Sequence, residues 1–181
     1  MQPLHNTFFK IMFTANRTGF LPVKAETIQK VKLVYIGYSD ACYKNLQRYA
    51  VEEFARHGAS CDIQRGFAKE DNETLDQYDL IVYATFIGQH QPAGGKAFYG
   101  EECKMMRLIM TVATEKSVGV SFGDPEIFFN YFTAANSFVN CYSINKETME
   151  GFVKGLYGEL EFTDSNPFPL NPIKRTNDVY A

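Results

Sequence analysis

Residues 119–132 have the sequence Gly-Val-Ser-Phe-Gly-Asp-Pro-Glu-Ile-Phe-Phe-Asn-Tyr-Phe, and this stretch decides the fold class. It predicts a buried strand, a turn at Gly123 and a short helix that begins at Asp124 and Pro125. An aspartate before a helix can accept hydrogen bonds from the free N–H groups of the first turn. A proline at the first helical position removes no useful donor. The stretch therefore predicts one β–α unit and gives Asp124 a structural role.

The same alternation of strand and helix extends along most of the chain. Short apolar runs are separated by segments in which apolar residues recur at helical spacing. This pattern predicts an α/β protein, a flavodoxin-like three-layer α/β/α sandwich with a mostly parallel sheet of five or six strands. The predicted strands are Val31–Tyr38, Ser60–Gln64, Leu80–Phe86, Val118–Phe122 and Ser137–Tyr142. Three helices are predicted. The first begins after a cap at Ser39 or Asp40, and the second contains Cys103 and Met106. The third runs from Lys146 to Tyr157 after a cap at Ser143 or Asn145.

Three regions are expected along the chain. Residues 1–30 do not fit the alternation and are expected to form a lead-in docked on the domain, with an edge strand or docked segment at Phe8–Phe13. Residues 31–165 form the sandwich, and residues 166–181, which begin with a proline-rich run, form an extended tail. Glu70–Glu73 is expected to be a polar loop. Ligands of such sheets gather where the strands end, so the loop at residues 88–100 is a candidate ligand-facing segment.

The composition is that of an ordinary globular domain. Apolar residues make up 45%, charged residues make up 22%, and the formal net charge is −3. Because no basic field is present, neither nucleic acid nor a membrane is expected as a partner. No apolar run reaches the roughly 18 residues of a membrane-spanning helix, and the first residues do not resemble a signal peptide. The compartment stays open, since a longer protein containing this chain could be cytoplasmic or exported.

No cofactor or metal is expected. The turn after the first strand, Ile36–Ala41, has one glycine, whereas dinucleotide and P-loop sites need a glycine-rich turn there. FMN would require several small or hydroxyl residues at the same place. The cysteines form no Cys-x-x-Cys pair, so buried free thiols are expected. They are Cys42, Cys61, Cys103 and Cys141.

No catalytic residue is predicted within the chain. There is no Gly-x-Ser-x-Gly nucleophile elbow, and His57 ends a helix, where a surface role that complements the helix dipole is expected. The neighbouring Glu101 and Glu102 at a helix start are explained by the same dipole. Asp40 and Asp124 are explained by capping.

Several short motifs follow one another over nearly the whole chain, beginning with Gly19–Val23 and continuing with Tyr99–Glu102 and Val118–Phe132. In this order they resemble the C-terminal, non-barrel domain of family 3 glycoside hydrolases. The S-L-G-N-P-Y-D-L form of one motif indicates the β-N-acetylglucosaminidase branch. The corresponding residues are Gly19–Val23 for G-L-L-P-L, Tyr99–Glu102 for L-P-x-x-Q, Val118–Phe132 for V-V-V-S-L-G-N-P-Y-D-L-x-x-F, Cys141–Ser143 for A-Y-S, and Leu156–Glu159 with Pro167–Leu170 for L-F-G-E and L-P-V.

The resemblance implies an accessory role beside a (β/α)8 barrel, which would be the partner domain or partner chain. In the family, the catalytic aspartate and, in the N-acetylglucosaminidases, the histidine acid/base lie in that barrel, which this chain lacks. The glucosidase loop S-E-G-x-D-R contributes a glutamate, but residues 88–96 here contain no carboxylate. The isolated chain is therefore expected to be inactive, with carbohydrate near its loop. The alternative is a stand-alone flavodoxin-like ligand-binding domain or an interaction module. The residues expected to contact sugar hydroxyl groups are Gln89, His90, Gln91 and Lys96.

Overall fold

The computed structural model describes residues 12–16, 19–88, 98–112, 115–132 and 135–162. In this part of the chain, six strands form one sheet that is covered by helices. The strands are β1 (Met12–Asn16), β2 (Lys30–Gly37), β3 (Ser60–Arg65), β4 (Leu80–Phe86), β5 (Ser117–Ser121) and β6 (Ser137–Asn140). The α-helices are α1 (Asp40–Arg56), α2 (Gly100–Val112) and α3 (Lys146–Leu156), with shorter 3₁₀ segments at Ala25–Thr27 and Lys69–Gln77 and a π-helical turn at Phe128–Phe132.

The sheet has the order β1-β6-β5-β4-β2-β3, which confirms the predicted α/β sandwich. Strands β2 to β6 all run parallel to one another. Strand β1 pairs antiparallel with β6 at one edge. The residues of β4 and β5 are buried, apart from the half-buried Phe86 at the end of β4. This pattern explains their almost continuous apolar sequences, because a parallel strand covered on both faces has no side that meets water.

Each face of the sheet packs against its own apolar layer. On one face, α1 contributes Leu46 and Phe54, and α3 contributes Phe152, whose ring meets that of Phe122 edge-on at 5.7 Å between centroids. On the other face, α2 contributes Met106, which belongs to the same apolar cluster as residues of the 3₁₀ segment Lys69–Gln77 and of the π-helical turn. The predicted three layers are therefore present, with the sheet in the middle.

Helices α1 and α3 begin at side-chain caps. The Ser39 hydroxyl oxygen accepts from the N–H of Cys42 at 3.2 Å, so Ser39 rather than Asp40 caps α1. The Asn145 carboxamide oxygen accepts from the N–H of Thr148 at 2.7 Å, so Asn145 rather than Ser143 caps α3. Each bond satisfies a first-turn donor that has no partner within the helix.

The prediction that Glu70–Glu73 is a polar loop was wrong, because these residues belong to the 3₁₀ segment Lys69–Gln77. A carboxylate oxygen of Asp71 accepts from the N–H of Ala68 and from the side-chain amide of Gln64, both at 2.7 Å. Leu75 is buried and anchors the segment against the sheet. Contacts with distant residues thus order a stretch whose own composition is typical of a loop.

The edge strand expected at Phe8–Phe13 is described from Met12 onward as β1, and it ends at Asn16. The Asn16 side chain bonds both backbone groups of Leu21, with its amide donating at 2.7 Å and its oxygen accepting at 3.2 Å. This exchange ties the edge strand to the segment that leads into β2. Residues 1–11 and 163–181 lie outside the described residues, so the boundaries 1–30, 31–165 and 166–181 stay predictions.

Two buried tyrosines on neighbouring strands offer a matched stability test. The Tyr35 hydroxyl donates to the carbonyl of Ser39 at 3.1 Å, whereas the Tyr83 hydroxyl has no partner within the described segments. We expect Tyr35→Phe to lower the free energy of unfolding by about 1 kcal/mol, because it removes one hydrogen bond to the Ser39 carbonyl, which keeps only the bond from the Tyr43 N–H. We expect Tyr83→Phe to leave it unchanged or raise it. Urea unfolding at pH 7 measures both, and equal losses in the two variants would contradict the hydrogen-bond assignment.

Stability should decrease in alkaline solution. Burial, as the largest cause, raises the pKa of Tyr35 and Tyr83, and raises those of Tyr142, Tyr157 and Cys61 to about 12. Unfolding exposes these groups, so the unfolded chain releases protons from about pH 9 to 10 upward. Because their pKa values are higher in the folded state, these groups contribute their full stabilisation below that pH range. This contribution to the free energy of unfolding is lost as the pH rises toward 12. Urea titrations at pH 7, 9 and 11 should show this decline, and a constant free energy would refute it.

Candidate functional site

The candidate site lies at the edge of the sheet where the parallel strands end. The chain passes from β2 outward to β3 and then crosses back to β4 on the other side of β2. The strand order therefore reverses between β2 and β4, and ligands of open α/β sheets bind at such a point. Gly37 and Phe86 are the paired last residues of these two strands. The segments after β5 and β6 reach the same edge.

Glycine allows the backbones at this edge to approach one another closely. A Cβ atom on Gly37 would lie 2.8 Å from the carbonyl oxygen of Phe86, and a Cβ on Gly123 would overlap the carbonyl oxygen of Ile87. The Asp124 N–H donates to that Ile87 carbonyl at 3.3 Å. The turn after β5 is thus joined to the end of β4 through main-chain contacts, which any side chain at Gly123 would disrupt.

Asp124 has the structural role that its sequence predicts, although the following helix differs. Its carboxylate accepts from the N–H of Glu126 at 2.8 Å, and its carbonyl accepts from the Ser121 hydroxyl at 2.8 Å. The expected short helix is a turn at Pro125 followed by the π-helical turn Phe128–Phe132. The wider helical turn places Phe128 and Phe132 against Phe138 of β6, with ring centroids 5.1 and 4.9 Å apart.

Two tyrosines distant in sequence form a stacked pair at this edge. The rings of Tyr38 and Tyr99 have centroids 4.7 Å apart and planes within 17°. The Tyr38 hydroxyl accepts from the Tyr99 N–H at 2.7 Å and donates to the Tyr99 carbonyl at 3.1 Å. The preceding Phe98 is fixed by the Tyr131 hydroxyl, which accepts from its N–H at 2.9 Å. Tyr99 nevertheless stays 45% exposed.

Charged groups of both signs lie at the same edge of the sheet. The Arg65 guanidinium forms an ion pair with Asp40 and donates to the Gly37 carbonyl at 3.3 Å. Burial raises the pKa of Tyr38, and the nearby charge of Glu102 adds to that increase. Asp40 was predicted to act as a cap, but Ser39 takes that role, and Asp40 pairs with the cation at the end of β3.

The residues predicted to contact sugar, which are Gln89, His90, Gln91 and Lys96, lie outside the described residues, and their role stays a prediction. Tyr38 was expected only as the end of a strand, Tyr99 was only part of a motif, and Arg65 was not predicted to have a role. An aromatic residue directly after β2, and another directly before the glycine that begins α2, were the available signals. The 61-residue separation of the two tyrosines hides their contact from any local pattern.

The cysteines and His57 depart in part from expectation. Cys141 is buried, as predicted, but the other three thiols are only half-buried. His57 was expected to be a surface residue, yet its side chain is only 11% exposed. Its ring stacks on Tyr157 with centroids 4.7 Å apart, and Nε2 lies 3.2 Å from a Glu159 carboxylate oxygen. His57 therefore joins α1 to the segment after α3, away from the candidate site.

The rest of the described chain offers few other candidates for a binding site. No group of three or more histidine, cysteine, aspartate or glutamate side chains there could hold a metal ion. No helix in the described part is long and apolar enough to cross a membrane. A cavity of about 270 Å³ opens at the opposite edge of the sheet and is lined mainly by apolar surface. Its lining residues include Asn16, Leu21, Pro22, Gly155 and Phe162.

Solved structures of sugar-acting enzymes share this fold. A β-glucoside phosphorylase, BglX, matches 88% of this chain with a TM-score of 0.64 at 16% identity. A family 3 β-N-acetylglucosaminidase from Paenibacillus sp. str. FPU-7 matches 90% with a TM-score of 0.62 at 15% identity. A fungal multi-domain family 3 β-N-acetylglucosaminidase matches 83% with a TM-score of 0.60 at 12% identity. The resemblance noted in the sequence is therefore confirmed at the level of the fold.

The chain corresponds to only part of each of these enzymes. It covers 30% of BglX, 31% of the Paenibacillus enzyme and 17% of the fungal enzyme. No protein-family model and no curated protein matches the sequence. The fold class defined here is thus an α/β sandwich that larger family 3 glycoside hydrolases contain as one portion.

The tyrosine pair can be tested by removing one hydroxyl. Tyr38→Phe eliminates the acceptor of the Tyr99 N–H, so that amide should exchange with deuterium roughly fivefold faster, as a loss of about 1 kcal/mol in local stability implies. Tyr43→Phe is the matched control, since no hydrogen bond of the Tyr43 hydroxyl is found in the described part of the chain. Unchanged exchange at Tyr99 in Tyr38→Phe would show that this bond does not restrain the start of α2.

Proposed function

We propose that this chain is the accessory, non-barrel domain of a family 3 glycoside hydrolase of the β-N-acetylglucosaminidase type. It would pack against a (β/α)8 barrel and support the sugar site there. The observation that carries this proposal is the fold match over 90% of this chain to a family 3 β-N-acetylglucosaminidase of which the chain spans 31%. The ordered motifs of the sequence support the same assignment.

The arrangement of the edge fits a supporting role. Strand β4 ends at the switch point, and the sequence that follows it contains Gln89, His90, Gln91 and Lys96, whose amide, imidazole and ammonium groups suit sugar hydroxyls. The aspartates at the edge already have structural partners, since Asp40 pairs with Arg65 and Asp124 accepts from a backbone N–H. Retaining glycoside hydrolysis needs two positioned catalytic groups, and the proposal assigns both to the barrel.

The chain and a barrel should therefore be assayed separately and together. We expect no turnover of p-nitrophenyl N-acetyl-β-glucosaminide by the chain alone, and both co-elution and increased activity when a family 3 barrel is added. His90→Ala and Lys96→Ala should lower the activity of the complex by roughly tenfold each, as expected for the loss of one well-placed hydrogen bond to the substrate. Lys24→Ala is the control, because Lys24 is exposed ahead of β2. Turnover by the chain alone that Asp40→Asn abolishes would overturn the proposal.

A second candidate is a stand-alone flavodoxin-like domain that binds a small ligand. The observation that favours it is the order of the parallel strands, β3-β2-β4-β5-β6, which is the flavodoxin order. Visible absorption of the purified chain and its melting temperature with added FMN test this candidate. A yellow protein, or a melting temperature that rises with FMN, would support it, and no change in either would reject flavin as the ligand.

A further inference from the structure

We infer that Tyr99, backed by Tyr38, is a stacking platform for a β-linked pyranoside ring on this chain itself. The inference rests on the proposed function for its choice of sugar, and it uses described residues other than the four predicted loop residues. Tyr99 and Val51 are the exposed large apolar residues of the described chain, with 45% and 44% exposure. Of these, Tyr99 lies beside the strand ends, where ligands of this fold class bind.

The platform is held rigidly, which lowers the entropy cost of binding. The Tyr38 hydroxyl bonds both the N–H and the carbonyl of Tyr99, so the backbone of Tyr99 cannot turn without breaking two hydrogen bonds. Phe98 is buried and packs against Tyr131, with centroids 5.6 Å apart. Gly100 follows with a φ of +61°, a turn that most residues adopt only with strain. An exposed aromatic residue is therefore fixed in place on both sides.

The polar groups at this edge of the sheet match hydroxyls rather than a charged ligand. Arg65 supplies N–H donors, and Asp40 and Glu102 supply acceptors, so the surroundings carry both signs. Sugar hydroxyls both donate and accept, and arginine and carboxylate side chains pair with them in a directed way. The chain has a net charge of −3 and no basic stripe, which disfavours a nucleotide phosphate as the occupant.

The aromatic face selects the shape of the sugar. In a β-linked ring of gluco configuration, the ring hydrogens are axial and form two faces of C–H groups. Such a face meets the electron-rich face of a tyrosine favourably, while the equatorial hydroxyls point outward toward the charged rim. The chemical class of ligand is therefore a β-glucoside or N-acetyl-β-glucosaminide.

Saturation-transfer NMR on the full 181-residue chain tests the platform, with methyl β-D-glucopyranoside and methyl N-acetyl-β-D-glucosaminide as probes. We expect transfer to be strongest at the axial ring protons. Tyr99→Ala and Tyr99→Leu should weaken binding by roughly tenfold, since both remove the aromatic face. Tyr99→Phe should retain binding because it keeps the ring. Val51→Ala is the matched control of equal exposure and should bind as the unmodified chain does.

Three results would overturn the inference. The first is sugar binding that is unchanged in Tyr99→Ala and Tyr99→Leu. The second is the absence of transfer to either sugar at tens of millimolar. The third is preferential transfer to adenosine, which would indicate a base-stacking site instead. The barrel assay distinguishes this failure from failure of the proposed function. Sugar binding without any association with a barrel would leave the platform standing and reject the accessory role. Association without sugar binding would do the reverse.

Discussion

The parallel pairing of β2 with β4 is the constraint on which the rest of the structure depends. The two strands are paired from Val31 and Leu80 to Gly37 and Phe86, and nearly all of their residues are buried. Because both faces of this pair are apolar, each face requires a covering layer, and the crossover connections of parallel strands supply it. Helices α1 and α3 cover one face, while α2 and the π-helical turn cover the other.

The same pairing determines what the ligand-facing edge can contain. Gly37 and Gly123 let the main chains at the ends of β2, β4 and β5 come into contact, so the centre of the edge is built from backbone atoms. Side chains that reach solvent must then come from the flanks. Tyr38 comes from the first residue after β2, Arg65 from the end of β3, and Tyr99 from the residue before α2. In the part of the chain that the structure describes, these three side chains come from three separate elements that meet at one edge.

Local pattern was enough to predict most of the sheet. The predicted bounds of β4 match those in the structure. The predicted bounds of β2, β3, β5 and β6 differ by at most two residues at each end. The sequence also identified Ser39 and Asn145 among the alternatives for caps, because capping depends on a side chain and an N–H two or three residues away. These are short-range interactions, and a single sequence contains all the information about them.

Features that depend on distant partners were not predictable in the same way. The 3₁₀ segment Lys69–Gln77 is held in part by the ammonium group of Lys116, which donates to the carbonyl of Tyr78 at 2.8 Å. The π-helical turn follows from the fit of Phe128 and Phe132 to Phe138. The stacked tyrosines depend on β2 and α2 being neighbours, which only the completed sheet order establishes. The local propensity of a sequence for helix or strand predicts little where such tertiary contacts determine the structure.

Two buried hydroxyl groups at the strand ends have structural hydrogen-bond partners. Thr85 and Ser121 occupy paired positions on β4 and β5. The hydroxyl of Thr85 donates to the carbonyl of Val120 at 2.9 Å, and that of Ser121 donates to the carbonyl of Asp124. Groups bonded in this way hold the strand ends in register and have little freedom to take part in a reaction. The structural use of these hydroxyl groups fits the proposed accessory role, in which the catalytic groups are supplied by another domain.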